Sequence, residues 1–206
     1  MSGIGLIGTS STGKTTLANE IAKMTGIPFI PSPAREVFKT MSLSANESIP
    51  FDARLLAQTR ILEVAEKTYS YMDSIFITDR TPMDFAAHMI AEALSANLTN
   101  YQSNEVMDYV KECYRVTNLY FSSVILLQPS ISVVREVGRP TNRAYLEHIN
   151  LIMIGLISDP DNKLYCAKHF MKKSVVDLKR RVESVIKIAS IVEMKNMKQG
   201  ELAGIH

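Results

Sequence analysis

Tryptophan is absent from these 206 residues, and cysteine occurs only twice, at Cys113 and Cys166. The two thiols lie far apart, with no CxxC pair and no histidine cluster beside them. That argues against a disulfide framework or a zinc site and fits reduced thiols in a cytoplasmic setting. A dominant charge is lacking too: 23 Lys and Arg stand against 21 Asp and Glu, a net charge of +2. Such a balance gives no electrostatic case for wrapping duplex DNA, although a local basic patch stays open. No apolar run suits a membrane span, and no basic stretch followed by an apolar one marks secretion at the N-terminus. Repeats and low-complexity tracts are missing as well. With 46% hydrophobic and 21% charged residues, the chain reads as globular. Its length suits one α/β domain over residues 1–194, with 195–206 as a flexible tail.

What is present alternates between short apolar strands and amphipathic helices. Strands are expected at Ile4–Ile7, Ile27–Ile30, Ile75–Thr78 and Val124–Leu127, with a fifth within His169–Val176. Helical spacing marks Lys14–Met24, Pro50–Tyr71, Val106–Tyr120, Tyr145–Ile157 and Leu178–Val192. Thr81, Pro82 and Asp84 are spaced as a cap, a first-turn proline and the acid of a capping box, so another helix should open there. The polar stretch Ser95–Asn104 reads as a mobile loop. This alternation predicts a parallel sheet of about five strands, covered by helices on both faces. Ligands of such sheets bind beyond the carboxyl ends of the strands, where Gly8, Arg35, Asp79 and Gln128 fall.

The strongest chemical signal is Gly8-Thr9-Ser10-Ser11-Thr12-Gly13-Lys14-Thr15, which matches G-x-x-x-x-G-K-[ST] at every fixed position. Phosphates need backbone amides turned inward, which the two glycines permit. The following helix N-terminus adds its partial positive charge. Lys14 should stand exposed in this cradle as a point charge for the β and γ phosphates. The Thr15 hydroxyl should ligate magnesium, and Thr16 closes the motif.

Asp79 and Arg80 leave the third strand together, an aspartate suited to magnesium or its water and an arginine suited to an acceptor phosphate or hydroxyl. The competing reading is a helix-capping aspartate, but Thr81 already supplies a cap. Arg135, Arg139 and Arg143 recur at intervals of four around Gly138 and Pro140, within a basic segment of about residues 129–145. They form either a solvated surface or a lid that closes over the transferring phosphoryl group. Gln58 lies on the apolar stripe of its helix, so its amide meets either a nucleobase edge or an internal backbone group. Arg35 and Glu36 follow the second strand: Arg35 suits an acceptor phosphate and Glu36 a hydroxyl proton, unless the two form a structural ion pair. Tyr101, Tyr109, Tyr114 and Tyr120 would serve either base stacking in a single-strand channel or helix packing. The four histidines form no constellation and read as structural.

With the P-loop, Asp79-Arg80 and the arginine-rich segment in place, the chain resembles the nucleoside and nucleoside monophosphate kinase group of P-loop kinases. Thymidylate kinases carry an Asp-Arg pair at this place, and deoxynucleoside kinases a Glu-Arg pair. Thr78-Asp79-Arg80-Thr81-Pro82 with the Pro33–Glu36 segment also resembles small AAA-labelled kinases of bacteriophages, related to the ribosylnicotinamide kinase domain. The resemblance spans about residues 3–190. It implies a P-loop kinase fold with an arginine-rich lid, and γ-phosphoryl transfer from ATP with Mg2+. Lys14 and Thr15 would serve ATP and metal, Asp79 the metal or acceptor, Arg80 the acceptor, and Arg135, Arg139 and Arg143 the lid. The Glu-Pro pair of deoxynucleoside kinases after the second strand is missing here, which with Arg35 favours a deoxynucleoside monophosphate acceptor. A nucleoside, a ribosylnicotinamide or a hydroxymethyl base in DNA remains the alternative acceptor, and a nucleotide-dependent switch or ATPase the non-kinase one. A homodimer is open.

Overall fold

A computed structural model describes residues 3–43, 49–129 and 142–203, with side chains to residue 191. Five strands, β1 (Gly3–Ile7), β2 (Phe29–Ile30), β3 (Phe76–Thr78), β4 (Phe121–Leu127) and β5 (Ala167–Met171), form one sheet in the order β2-β3-β1-β4-β5. Every pairing is parallel. The helices are α1 (Lys14–Thr25), α2 (Ala34–Thr40), α3 (Phe51–Ser70), α4 (Pro82–Leu94), α5 (Asn100–Tyr120), α6 (Arg143–Ser158) and α7 (Leu178–Ala203). Among the described residues, no helix is long and apolar enough to cross a membrane.

The strand alternation sorts the core into two layers. Ile4 and Leu6 of β1 join Leu17 and Ile21 of α1 and Val182 and Val185 of α7 on one face. Ile7, Phe76 and Phe121 join α3, α4, α5 and α6 on the other. Tyr69 stacks on Phe76 at 5.4 Å and meets Phe121 edge-on at 5.2 Å, an aromatic plug beneath the second layer. Because β1 is central, its carboxyl end delivers the phosphate loop between the ends of β3 and β4, where the strand order reverses.

Several boundaries differ from the sequence expectation. The polar stretch after Ser95 is only partly loop: Thr99 caps α5 reciprocally with Gln102, and the helix starts at Asn100. A short α2 carries Arg35 and Glu36. β4 begins three residues earlier than expected, at Phe121, continuing directly from α5. β5 lies two residues earlier than its expected start. Lys172 closes a turn by accepting from the Val175 amide, so Val175 packs beneath α7 instead of extending the strand. The last helix, expected to stop at Val192 and leave a flexible tail, continues to Ala203. At Thr81 the expectation holds: its side chain accepts from the Met83 amide, Asp84 reaches back to the Thr81 amide, and Pro82 opens the helix.

The cap of α4 packs tightly against β1. A Cβ on Gly5 would come within 2.2 Å of Thr81 Cγ2 and 3.2 Å of the Phe121 ring. Thr81 is fully buried and held by its cap, so it has little room to yield. Gly5→Ala should therefore destabilise the fold by about 2 kcal/mol, a fall in Tm of roughly 6 °C at this size. Gly155→Ala on α6, where nothing lies within 4 Å of the new Cβ, should instead stabilise by up to about 1 kcal/mol. Calorimetric melts of both variants check the contrast; equal Tm values would contradict the packing.

Candidate active site

The phosphate loop is built by three residues in the left-handed or strained region. Gly8 has φ 153°, Ser11 62° and Gly13 82°. A side chain on Gly8 would also strike the Leu127 carbonyl oxygen at 2.5 Å, so β4 passes too close for anything but glycine. Gly13 precedes α1 directly, which leaves the helix N-terminus without a side-chain cap and its amides available to an anion.

The loop is braced from three sides. Thr12 Oγ1 donates to the Thr9 carbonyl at 2.9 Å. Arg181, 2% exposed in the first turn of α7, donates to the Thr12 carbonyl at 2.8 Å and the Val175 carbonyl at 2.7 Å. The Gly8 amide donates to Asp84 Oδ1 at 3.2 Å. Gly8 is thereby an anchor of the cradle, and its amide is committed to the protein. The Lys14 side chain, expected to be exposed, is 6% exposed, and its Nζ donates to the Gly8 and Thr9 carbonyls. The cause is simple: an ammonium in a loop of inward dipoles finds the nearest carbonyl oxygens. The Thr9 and Ser11 hydroxyl oxygens are buried without a partner, two polar groups in the loop that phosphate oxygens would satisfy. Ser10 is half-buried, and Thr16 is exposed on the first turn of α1.

Asp79 does not cap α4. Its Oδ2 accepts from Thr15 Oγ1 at 2.5 Å, and its Oδ1 from the Ser32 amide at 3.1 Å. A hydroxyl and a carboxylate in contact at the foot of a phosphate loop are the hard oxygen donors that magnesium takes, usually with waters and substrate phosphates completing the shell. The residues fit that ion. No group of three metal-ligating His, Cys, Asp or Glu side chains exists among the described residues, so the ion would rest on this pair and the nucleotide.

Arg80 is held by its backbone and its head. Thr78 Oγ1 donates to the Arg80 carbonyl at 2.9 Å, and Tyr69 OH reaches it at 3.5 Å. Arg80 Nη1 lies 3.0 Å from His88 Nε2 on α4. Sequence reasoning passed over His88, because no spacing rule connects it to Arg80; only the helix turn after Thr81 brings the two together. Burial, then the cations Arg80, Lys14 and Arg54, push the His88 pKa down to about 3. Arg54 of α3 pairs with Glu92 of α4 at 3.3 Å. α4 packs against both α3 and α6, and Tyr145 of α6 packs against the same core.

The remaining candidates divide. Gln58 is 8% exposed, and its Oε1 is buried without a partner, which removes the internal hydrogen bond as its explanation for that atom. Arg35 and Glu36 are both exposed, and no ion pair joins them. Arg143 is exposed at the start of α6, which Asn142 caps; Arg135 and Arg139 lie outside the described residues. Gln128 Nε2 donates to the Met171 carbonyl at 3.3 Å and so ties β4 to β5. Of the four tyrosines, Tyr109 and Tyr114 are buried and donate to the Gln58 and Leu156 carbonyls, Tyr120 packs on Tyr69, and only Tyr101 is exposed. Helix packing accounts for three of them. A groove of about 890 Å³ between α3 and α5 is lined by Leu55, Leu62, Tyr101, Tyr109 and several carboxylates, and by none of the phosphate-loop residues.

The same architecture recurs in solved structures. Deoxyadenosine kinase from M. mycoides with bound dATP aligns with a TM-score of 0.66 at 20% identity, over 92% of this chain and 100% of that one. The same enzyme with the products dCMP and a flexible dCDP gives 0.64 at 21%, over 92% and 99%. The YorR protein of Bacillus subtilis, in complex with phosphorylated GDP, gives 0.51 at 16%, over 94% and 98%. At such identities the likeness is one of fold, and the fold is that of the P-loop nucleoside kinases. No curated protein matches the chain. The family signature nevertheless runs from β1 through α6, across the phosphate loop, Asp79, Arg80 and His88: over residues 4–156 the chain belongs to the AAA domain family.

Proposed function

We propose that this protein is an ATP-dependent kinase that transfers the γ-phosphoryl group to a deoxynucleoside monophosphate. The observation that carries the reading is the phosphate loop with Thr15 on Asp79 at its foot and Arg80, held by His88, at the neighbouring strand exit. Glu92 pairs with Arg54, while Lys14 and Arg80 rest on carbonyls and an imidazole, partners that support exchange for phosphates on donor and acceptor. Gln58, with a buried and unpartnered amide oxygen on α3, supports recognition of a base by hydrogen bonding to its edge.

In this reading the amides of the loop and α1 hold the β and γ phosphates, and Lys14 Nζ exchanges its loop carbonyls for their oxygens. Thr15 and Asp79 would hold Mg2+, which when bound neutralises charge between the β and γ phosphates. An oxygen of the acceptor phosphate attacks the γ phosphorus, the bond to the β-bridging oxygen breaks, and ADP leaves. A monophosphate oxygen is already ionised, so no general base is needed. Arg80 steadies the acceptor. Arg135, Arg139 and Arg143 are assigned to the equatorial oxygens of the transferring group, and Arg35 to the edge of the acceptor site.

A second reading, a deoxynucleoside acceptor, is favoured by the fold neighbours described as deoxyadenosine kinase. A sugar hydroxyl must lose a proton as it attacks, and Glu36 on α2 is then the candidate base. The two readings part on one variant. Glu36→Gln should leave kcat within about threefold if the acceptor is a monophosphate, but lower it at least a hundredfold if the acceptor is a nucleoside. ADP formation with ATP, the four deoxynucleosides and the four monophosphates, in wild type and Glu36→Gln, decides. ATP hydrolysis with no acceptor dependence would favour a switch or ATPase over either kinase.

Two further outcomes are expected. Lys14→Ala should abolish transfer, a loss of at least about a thousandfold, and Asp79→Asn should lower kcat more than ATP binding. Single-turnover assays and ATP-analogue titration check both; near-normal transfer in folded Lys14→Ala would end the phosphate-loop reading. For the basic segment, Arg135→Ala, Arg139→Ala and Arg143→Ala should include at least one variant with about a hundredfold lower turnover and little change in ATP affinity. Full rates in all three would return the segment to a solvated surface.

A further inference from the structure

We propose that His88 is a positioning residue for Arg80, orienting its guanidinium for the acceptor substrate through a neutral acceptor instead of a carboxylate. The inference rests on the role given to Arg80 above. Its geometric basis does not: Arg80 Nη1 and His88 Nε2 are 3.0 Å apart. A guanidinium can only donate. His88 Nε2 therefore accepts, and the single imidazole proton sits on Nδ1. His88 lies on α4, the helix that starts immediately after Arg80, so the same chain segment that launches the arginine also returns its anchor.

The surroundings enforce the neutral form. The groups that act electrostatically on His88 come from three elements: Arg80 at the end of β3, Lys14 of α1 and Arg54 of α3, all cations. Burial first, and then these cations, hold the ring uncharged; Asp84, one turn earlier on α4, acts on Arg80 and is held by the Gly8 and Thr81 amides. A carboxylate at this position would bind a guanidinium more strongly, as a charge-assisted pair, but would cancel its charge. The cleft contains that alternative as well, since Arg54 is bound by Glu92. One arginine is thus bound in a structural pair, and the other is oriented through a neutral ring. The buried Asp84 carboxylate also acts on Arg80, but it is held by the Gly8 and Thr81 amides, so the guanidinium itself rests on a neutral ring that an entering anion need not displace.

The test uses the acceptor that gives most ADP among the four deoxynucleoside monophosphates and four deoxynucleosides, assayed with ATP. Four variants are compared: His88→Gln, His88→Leu, His88→Glu and Arg80→Ala. His88→Gln, which keeps a neutral acceptor, should stay within about threefold of wild type. His88→Leu should raise the acceptor KM about tenfold with a smaller change in kcat, as expected for losing one hydrogen bond to a charged group. His88→Glu should lower kcat/KM by more than His88→Leu, because it orients the guanidinium but removes its net charge. ATP-analogue affinity should change little in all three. In wild type, imidazole ¹⁵N shifts should show His88 singly protonated on Nδ1 from about pH 8 to pH 5, where an ordinary histidine titrates.

His88→Glu as active as His88→Gln, or a His88 ring that gains a second proton in that range, overturns the proposal. So does a folded His88→Leu with wild-type acceptor KM when Arg80→Ala is impaired. Full activity in Arg80→Ala would instead overturn the reading of Arg80 itself. Thermal melts report folding. Should His88→Leu not fold, the Gln and Glu variants and the wild-type ¹⁵N shifts still decide between the outcomes.

Discussion

The carboxylate of Asp84, fully buried beneath the phosphate loop, takes hydrogen bonds from two directions at once. Its Oδ1 accepts from the Gly8 amide at the exit of β1. Its Oδ2 accepts from the Thr81 amide at 2.9 Å and the Thr81 hydroxyl at 3.2 Å, at the exit of β3. A helix cap and the first turn of the phosphate cradle thus share one side chain. Burial alone raises its pKa; Lys14, Arg80 and the two backbone amides oppose that rise. Because β1 and β3 are neighbours in the sheet, the tie fixes Lys14 and Thr15 on one strand exit relative to Asp79 and Arg80 on the other. The contact between Thr15 and Asp79 is a consequence. Without Asp84, three donors would lose their acceptor in a dry place, and the two exits would be held only by the strand pairing below.

Local signals made part of this legible in the sequence. The phosphate loop is a contiguous pattern, and the cap at Thr81, Pro82 and Asp84 is spelled within four residues. The strand and helix alternation follows from periodicity, so the parallel five-stranded sheet could be read before any coordinates. The start of α5 was readable by the same rule as α4, since Thr99 and Gln102 have the capping-box spacing, but the polarity of Ser95–Asn104 hid it. β5 was displaced because Val175 and Val176 look like strand residues, while Val175 serves the α7 layer.

What the sequence could not disclose are contacts between distant segments. Gly8 and Asp84 are 76 residues apart, and Arg181 and Thr12 169 apart. No periodicity rule joins either pair. Arg181 reads as one charge in the basic run Lys179-Arg180-Arg181, yet it is nearly inaccessible and bonded to the back of the phosphate loop. His88 is hidden in the same way within a run of apolar α4 residues. The expectation of an exposed Lys14 failed for a related reason: exposure was inferred from function, whereas the loop's own carbonyls draw the ammonium inward.

The cleft's charge arrangement gives the fold its chemical direction. Each carboxylate near the phosphate loop already has a protein partner: Asp79 with Thr15 and Ser32, Asp84 with Gly8 and Thr81, Glu92 with Arg54. Lys14 donates to carbonyl oxygens and Arg80 to an imidazole, and both act on the buried Asp84 carboxylate. Neutral partners bind a cation less strongly than carboxylates do. An acid at position 88 would stand one helical turn from the buried Asp84 carboxylate, where like charges repel. The neutral ring holds the guanidinium without that repulsion and, in the proposed reading, leaves Arg80 to an incoming anion.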